Sequence, residues 1–244
     1  MKKNNDRTSK FKKNTALLLF CQLASIGLSF ILVPLTLKYL GVSEYGVWIT
    51  LIGVIEWFNF FDIGLGHGLR NKYVEAKVTN NLDDVKKYVS TTFFMMVIIS
   101  LIIFCFFLLG SHFIEWYKVL NAPSELEAVL QRLTICLVGV FCLRFVINIV
   151  SILLTADQNP AMPAIILLSG NALSLISVYV LTLRGETSLF VMGICLYISQ
   201  ILPLLVAFCY FFSTKYQIIF PSLQSFSKPH IEQVLSLGVK FFLI

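Results

Sequence analysis

The chain has 244 residues, 57% of them apolar and 14% aromatic; only 13% are charged, and the formal net charge is +6. A water-soluble domain carries about 25% charged residues, so this composition excludes a chain solvated on every side. The basic residues flank apolar runs, which assigns the positive charge to membrane orientation and excludes nucleic acid as the partner.

Between the charge clusters lie continuous apolar runs of about twenty residues, the length that crosses a bilayer as a helix. They do not alternate in ten-residue blocks, as the strands of a membrane barrel do. The expected fold class is all-α, a polytopic membrane helix bundle.

Residues 1–14 form a basic N-terminus that opens MKKNNDRTSKFKK. The run that follows is too long for a signal-peptide core, lacks a small-x-small cleavage site and contains Pro34. Residues 15–37 therefore read as an uncleaved first span, with Gln22, Ser25 and Ser29 on a face expected to meet other helices. After the loop KYLGVSEYG, residues 47–66 form the second span. Residues 67–88 read as a loop holding Arg70, Lys72, Lys77, Lys86 and Lys87. The third span, 89–111, has almost no polar residue after Ser100 and is expected at the periphery of the bundle. In the next loop Ser124 followed by Glu127 matches a helix-capping box.

The fourth span, 129–154, contains Arg144 and Asn148. The turn ADQNPAMP leads to the fifth, 164–183, and RGETS to the sixth, 189–212. Six complete spans thus form a lobe over 15–212. A polar inter-lobe loop follows over 213–233, then the start of a seventh helix over 234–244, too short for the roughly twenty residues of a crossing. The chain is expected to be a piece of a longer protein.

On the N-terminal side of the expected topology stand 13 basic residues, against Lys38, Lys118, Arg132 and Arg184 on the other, which predicts a cytoplasmic N-terminus. Tyr39, Tyr45, Trp48, Trp116 and Tyr117 fall at the expected outer boundary, as an aromatic belt would. The six cysteines all lie inside apolar runs without a CxxC pair, and read as small core hydrophobes.

No enzyme motif is present: GLGHG is not GxGxxG, and there is no GK[ST]. No catalytic residue, metal or cofactor is expected. What stands out is ionisable side chains at membrane depth, each costing about 2.5–3.5 kcal/mol at a helix centre, which directs them to a cavity or a partner. Glu56, Asn59 and Asp62 share one helical stripe, while Arg144 and Asn148 lie one turn apart. In one reading Glu56 and Arg144 face a water-filled pathway, the arginine, with Asn148 and Asn59 beside the substrate, meeting an anionic cargo and Glu56, with Asp62, acting as an ion or proton relay. In the other they lock two helices together.

The segment FNFFDIGLGHGLRNKYVEA also has two readings. Gly64, Gly66 and Gly68 allow close packing while Asp62 caps a helix or pairs with Arg70. Alternatively, the glycines loosen the mouth of a cavity that Arg70 and Lys72 line for phosphate. His67 reads as interfacial, and Pro34, Pro163 and Pro203 as kinks or helix ends.

A basic N-terminus, a first span ending ILVPLTLKYLGVSEYGVW and a second ending FFDIGLGHGLRNKY resemble bacterial polysaccharide flippases. These are the O-antigen and capsule repeat-unit translocases of the multidrug/oligosaccharidyl-lipid/polysaccharide exporter superfamily. LLTADQNPAMPAI is similar to the family's short inner turn, and Asp62, Gly64, Gly66 and Arg70 match its DxGLGxxxR-like signature. The resemblance runs over residues 8–244. It implies two lobes around a central cationic cavity, alternating access, and undecaprenyl-diphosphate-linked oligosaccharide as the cargo crossing the bacterial inner membrane. It also implies polysaccharide polymerase and assembly proteins as partners, and makes this chain the first lobe and the opening of the second. An efflux pump of the same superfamily would want acidic cavity residues, which Arg144 opposes. A non-transporting scaffold or inactive remnant is the reading from another class. A membrane glycosyltransferase would need a large outer loop, and none expected here exceeds about twenty residues.

Overall fold

The computed structural model describes residues 2–58, 64–185 and 187–242, with side chains from residue 12 to residue 236 within those segments. Among them the secondary structure is entirely helical. Helix α1 spans Lys2–Glu56, α2 Leu65–Val78, α3 Leu82–Ser111 and α4 Trp116–Val119. They are followed by α5 Glu127–Ile147, α6 Ile149–Ala156, α7 Ala161–Arg184, α8 Leu189–Ser213 and α9 Lys228–Phe242.

Five helical stretches are long and apolar enough to cross a membrane: Lys12–Glu56, Leu82–Ser111, Ser124–Ala156, Ala161–Arg184 and Leu189–Ser213. The first covers the first expected span and the opening ten residues, 47–56, of the second. At about 1.5 Å per residue its 45 residues exceed the roughly 30 Å hydrocarbon core twice over. It is broken at Gly41, whose φ of 76° and ψ of 170° lie in a region only glycine enters without strain. Asn14 donates to the Gln158 carbonyl at 3.3 Å, and Tyr39 accepts from the Ser188 amide at 3.2 Å. The arm before Gly41 therefore runs the length of α7, from its start to its end. The arm after Gly41 turns back, and both arms line one cavity.

The core is divided in two. One half gathers Leu69, Tyr73, Val89, Met96, Leu153 and Leu204 near the end that holds Asn14, Lys77 and Asp157. The other gathers Trp48, Leu51, Leu133, Leu137, Val178 and Met192 toward the end that holds Tyr39 and Ser188. Ser100 Oγ donates to the Cys142 carbonyl at 3.2 Å and Cys142 Sγ to the Ser100 carbonyl at 3.5 Å, a reciprocal tie between α3 and α5. Outward faces are apolar: Phe30 is 75% exposed and Phe106 73%, as lipid contact would require.

Several expectations are corrected. The loop expected over 67–88 is largely helix α2, because Leu65, Leu69, Tyr73 and Ala76 repeat at helical spacing and are all buried. The helix expected to run through Gly66 ends at Glu56, and α2 starts afresh after Gly64, which has φ 71°. The expected belt does not face lipid throughout, since Tyr39, Trp48 and Trp116 are core residues. Trp48 fits there because Gly193 has no side chain: a Cβ would lie 2.9 Å from its ring. The capping box does not form. Glu127 instead accepts from the amides of Trp116 at 3.2 Å and Tyr117 at 2.7 Å, capping α4. Of the polar face on the first arm, Ser25 is buried, Ser29 lines the cavity and Gln22 is exposed. Cys21 and Cys142 are buried, but Cys105, Cys136 and Cys209 lie on exposed faces.

A candidate ligand cavity at the seam of two cores

Where the two halves of the core meet, the first helix reaches its end at Glu56, and Asn148 joins α5 to α6. Asn148 keeps right-handed helical angles, φ −63° and ψ −13°, and its carbonyl accepts from both the Ser151 amide at 2.9 Å and the Ile152 amide at 3.3 Å, so the turn there is tightened without being broken.

Glu56, Arg144 and Asn148 all border a cavity of about 320 Å³, together with Ile55 from one core and Met96 from the other. Glu56, Arg144 and Tyr197 also border a second, of about 390 Å³, walled by both arms of α1 and by α5, α7 and α8. Volumes of this order suit small-molecule sites. Tyr197 stands within electrostatic reach of both Arg144 and Glu56, and its ring meets Trp48 edge-on at 6.3 Å between centroids.

The second cavity has a polar wall that ionisable residues alone do not reveal. Gln200 Nε2 donates to Asn171 Oδ1 at 2.8 Å and to Ser174 Oγ at 3.2 Å, and all three residues line it. Gly170 makes the arrangement feasible, because a Cβ there would sit 2.9 Å from Gln200 Oε1 and 3.3 Å from Gln200 Cα. The sequence signal was available: Asn171 and Ser174, and Ser199 and Gln200, are polar residues inside apolar runs.

No family model, curated protein or solved structure matches the chain. The chemistry of the cavity therefore follows from its own side chains. A guanidinium held at membrane depth costs about 2.5–3.5 kcal/mol, and its planar fork matches carboxylate and phosphate oxygens. Amides and phenols around it supply neutral hydrogen bonds. Among the described residues no group of three His, Cys, Asp or Glu comes together to hold a metal.

The other expected site residues lie apart from this cavity. Arg70 and His67 are exposed on α2, and Lys72 on the same helix is ion-paired with Glu75 at 2.7 Å. Gly64 caps the start of α2 and Gly66 lies in its first turn. Gly68 is a packing glycine: a Cβ there would sit 2.2 Å from the Val234 carbonyl oxygen of α9. Pro34 lies within the first arm of α1, Pro203 within α8 and Pro163 in the first turn of α7. Asn59 and Asp62 lie outside the described residues.

A second polar cluster, at the end of the bundle, was not anticipated. Asp157 follows α6, and its side chain is only 4% exposed. Oδ1 accepts from Lys77 Nζ at 2.5 Å and from the Tyr73 hydroxyl at 3.0 Å. Oδ2 accepts from the Tyr216 hydroxyl at 3.0 Å and pairs with Lys215. Burial would raise the Asp157 carboxyl, but hydrogen bonds and charge from Lys215 and Lys77 outweigh it and hold the group below its ordinary value. Burial, then the adjacent carboxylate, pushes the Tyr73 and Tyr216 phenols well above theirs. The cluster ties α2, the α6–α7 turn and the segment after α8 into one unit.

Proposed function

We propose that this chain is a lobe of a polysaccharide flippase, which moves undecaprenyl-diphosphate-linked oligosaccharide across the bacterial inner membrane with its N-terminus in the cytoplasm. The observation that carries the reading is the seam cavity, where Arg144, Asn148 and Glu56 gather from two membrane-length helical stretches. Ionisable residues within membrane helices that face a cavity are what a transporter uses to hold cargo and ions. Arg144 meets the diphosphate, and Glu56 serves the coupling ion or proton. The resemblance of the segments around Gly41 and Gly64 to the flippases supplies the cargo class. In this reading the break at Gly41 divides the first long helix into two crossings, the lobe has six, and α9 opens the seventh.

The experiment is complementation of a flippase-deficient strain with the full reading frame that contains this chain, scored by surface polysaccharide. Arg144→Gln is expected to lower export at least about tenfold, and Arg144→Lys to keep part of it, because lysine retains charge but loses the bidentate fork. Export unchanged in both variants, with normal membrane insertion, overturns the assignment of Arg144. Efflux of small cations by the same frame, without polysaccharide export, would favour the drug-efflux reading. A frame that inserts and does neither would favour a scaffold.

A further inference from the structure

We infer that the cavity is bipartite and that Asn171, oriented by Gln200, forms a neutral subsite that recognises a sugar ring beside the charged subsite at Arg144. The inference rests on the flippase reading and names which part of the cargo each wall holds. Gln200 commits both N–H groups of its amide, to Asn171 Oδ1 and to Ser174 Oγ. Ser174 in turn donates to the Gly170 carbonyl at 2.9 Å, so its hydroxyl proton is used as well. With one Oδ1 lone pair engaged, Asn171 still offers its two N–H donors and a second acceptor lone pair. Donors in this position match the hydroxyl and acetamido oxygens of a neutral sugar, whereas the diphosphate belongs to the guanidinium across the same cavity.

A purely structural role would be to join α7 to α8, since side-chain hydrogen bonds glue helices in membranes. The molecule contains an internal contrast. Ser177, one turn past Ser174, and Ser199, the neighbour of Gln200, join the same two helices at 2.9 Å, and neither lines the cavity. A glue contact needs no cavity, and the Asn171–Gln200 pair has one. Trp48 and Tyr197 complete that wall with aromatic surface, as a ring carrying both apolar and hydroxyl faces would require.

The test uses the chain in lipid nanodiscs with three probes: undecaprenyl diphosphate, the same carrier bearing one N-acetylhexosamine, and the carrier bearing one neutral hexose. Binding is read by native mass spectrometry as the affinity ratio of glycosylated to bare carrier. The wild-type chain should favour at least one glycosylated carrier. Asn171→Leu should reduce that preference roughly five- to tenfold and leave the bare diphosphate bound, the loss expected for one or two hydrogen bonds. Ser177→Ala, which loosens the same helix pair outside the cavity, should keep the preference. Arg144→Gln should weaken all three probes together. A preference unchanged in Asn171→Leu, absent from the wild type, or lost equally in Ser177→Ala overturns the sugar subsite while leaving diphosphate binding intact. Failure of every probe to bind the wild type removes the flippase reading itself, and the subsite with it.

Discussion

Each oxygen of the Asp157 carboxylate takes one ammonium and one phenol, and this symmetry explains how a carboxylate survives almost fully buried. Replacing Asp157 with Ala strands two buried hydroxyls, so a loss of about 2–4 kcal/mol is expected in thermal unfolding of the detergent-solubilised chain. Because the folded carboxyl titrates below its ordinary value of about 3.9, the folded chain binds fewer protons than the unfolded one as acid is added. The contribution of this group is therefore complete above about pH 4 and vanishes as pH falls through the lowered value. The stability gap between wild type and Asp157→Asn should be constant from pH 7 to 5 and close below pH 4; a gap that widens on acidification would contradict this. Gly68 gives a second prediction at the same scale. With the Val234 carbonyl oxygen 2.2 Å from where a Cβ would sit, Gly68→Ala must displace α9 backbone, and a loss of about 1–3 kcal/mol in the same unfolding assay is expected. Close packing at Gly68 was one of the two readings of the sequence, although its partner on α9 was not legible. Asp157 was not legible as a site, because it meets a lysine 80 residues away.

Among the elements, the long first helix depends on one residue. Gly41 sits at φ 76°, ψ 170°, a conformation that costs a side-chain-bearing residue about 1–3 kcal/mol. Gly41→Ala should destabilise by that amount, whereas Gly53→Ala should stabilise slightly, since a Cβ there meets nothing within 4 Å and the residue lies inside a regular helix. Equal effects of the two substitutions on the melting temperature would mean that the break at Gly41 is not what shapes the helix. That the chain is all-helical with helices fit to cross a membrane was legible, because a bilayer demands length and apolarity and both are printed in the sequence; the expected six spans correspond to five such stretches among the described residues. Helix α2 was missed although Leu65, Leu69, Tyr73 and Ala76 carry its spacing, because five basic residues between 70 and 87 drew the stretch toward a loop. The aromatic boundary was misjudged for a different reason. Apolar runs state that Trp48 and Trp116 avoid water, but not whether they face lipid or core.

For the whole molecule, the decisive feature is that the interior is two cores and not one. A single continuous core would have buried Glu56, Arg144 and Asn148 among apolar side chains at several kcal/mol each. The seam removes that cost by giving them a cavity. This grouping was legible from charge at membrane depth, and the structure brings the three residues together from α1, α5 and the α5–α6 junction. The amide wall was not foreseen, since Asn171 and Gln200 pair across 29 residues and carry no charge to mark them.

The most direct measurement is thiol accessibility at position 148. In a cysteine-free background inserted in membranes, Asn148→Cys is compared with Leu101→Cys on the exposed apolar face of α3. The account predicts that a membrane-impermeant maleimide labels position 148 and not 101, and that undecaprenyl diphosphate protects position 148. Position 148 inert to the reagent, or labelled equally with and without the carrier, would contradict a hydrated anion-binding seam.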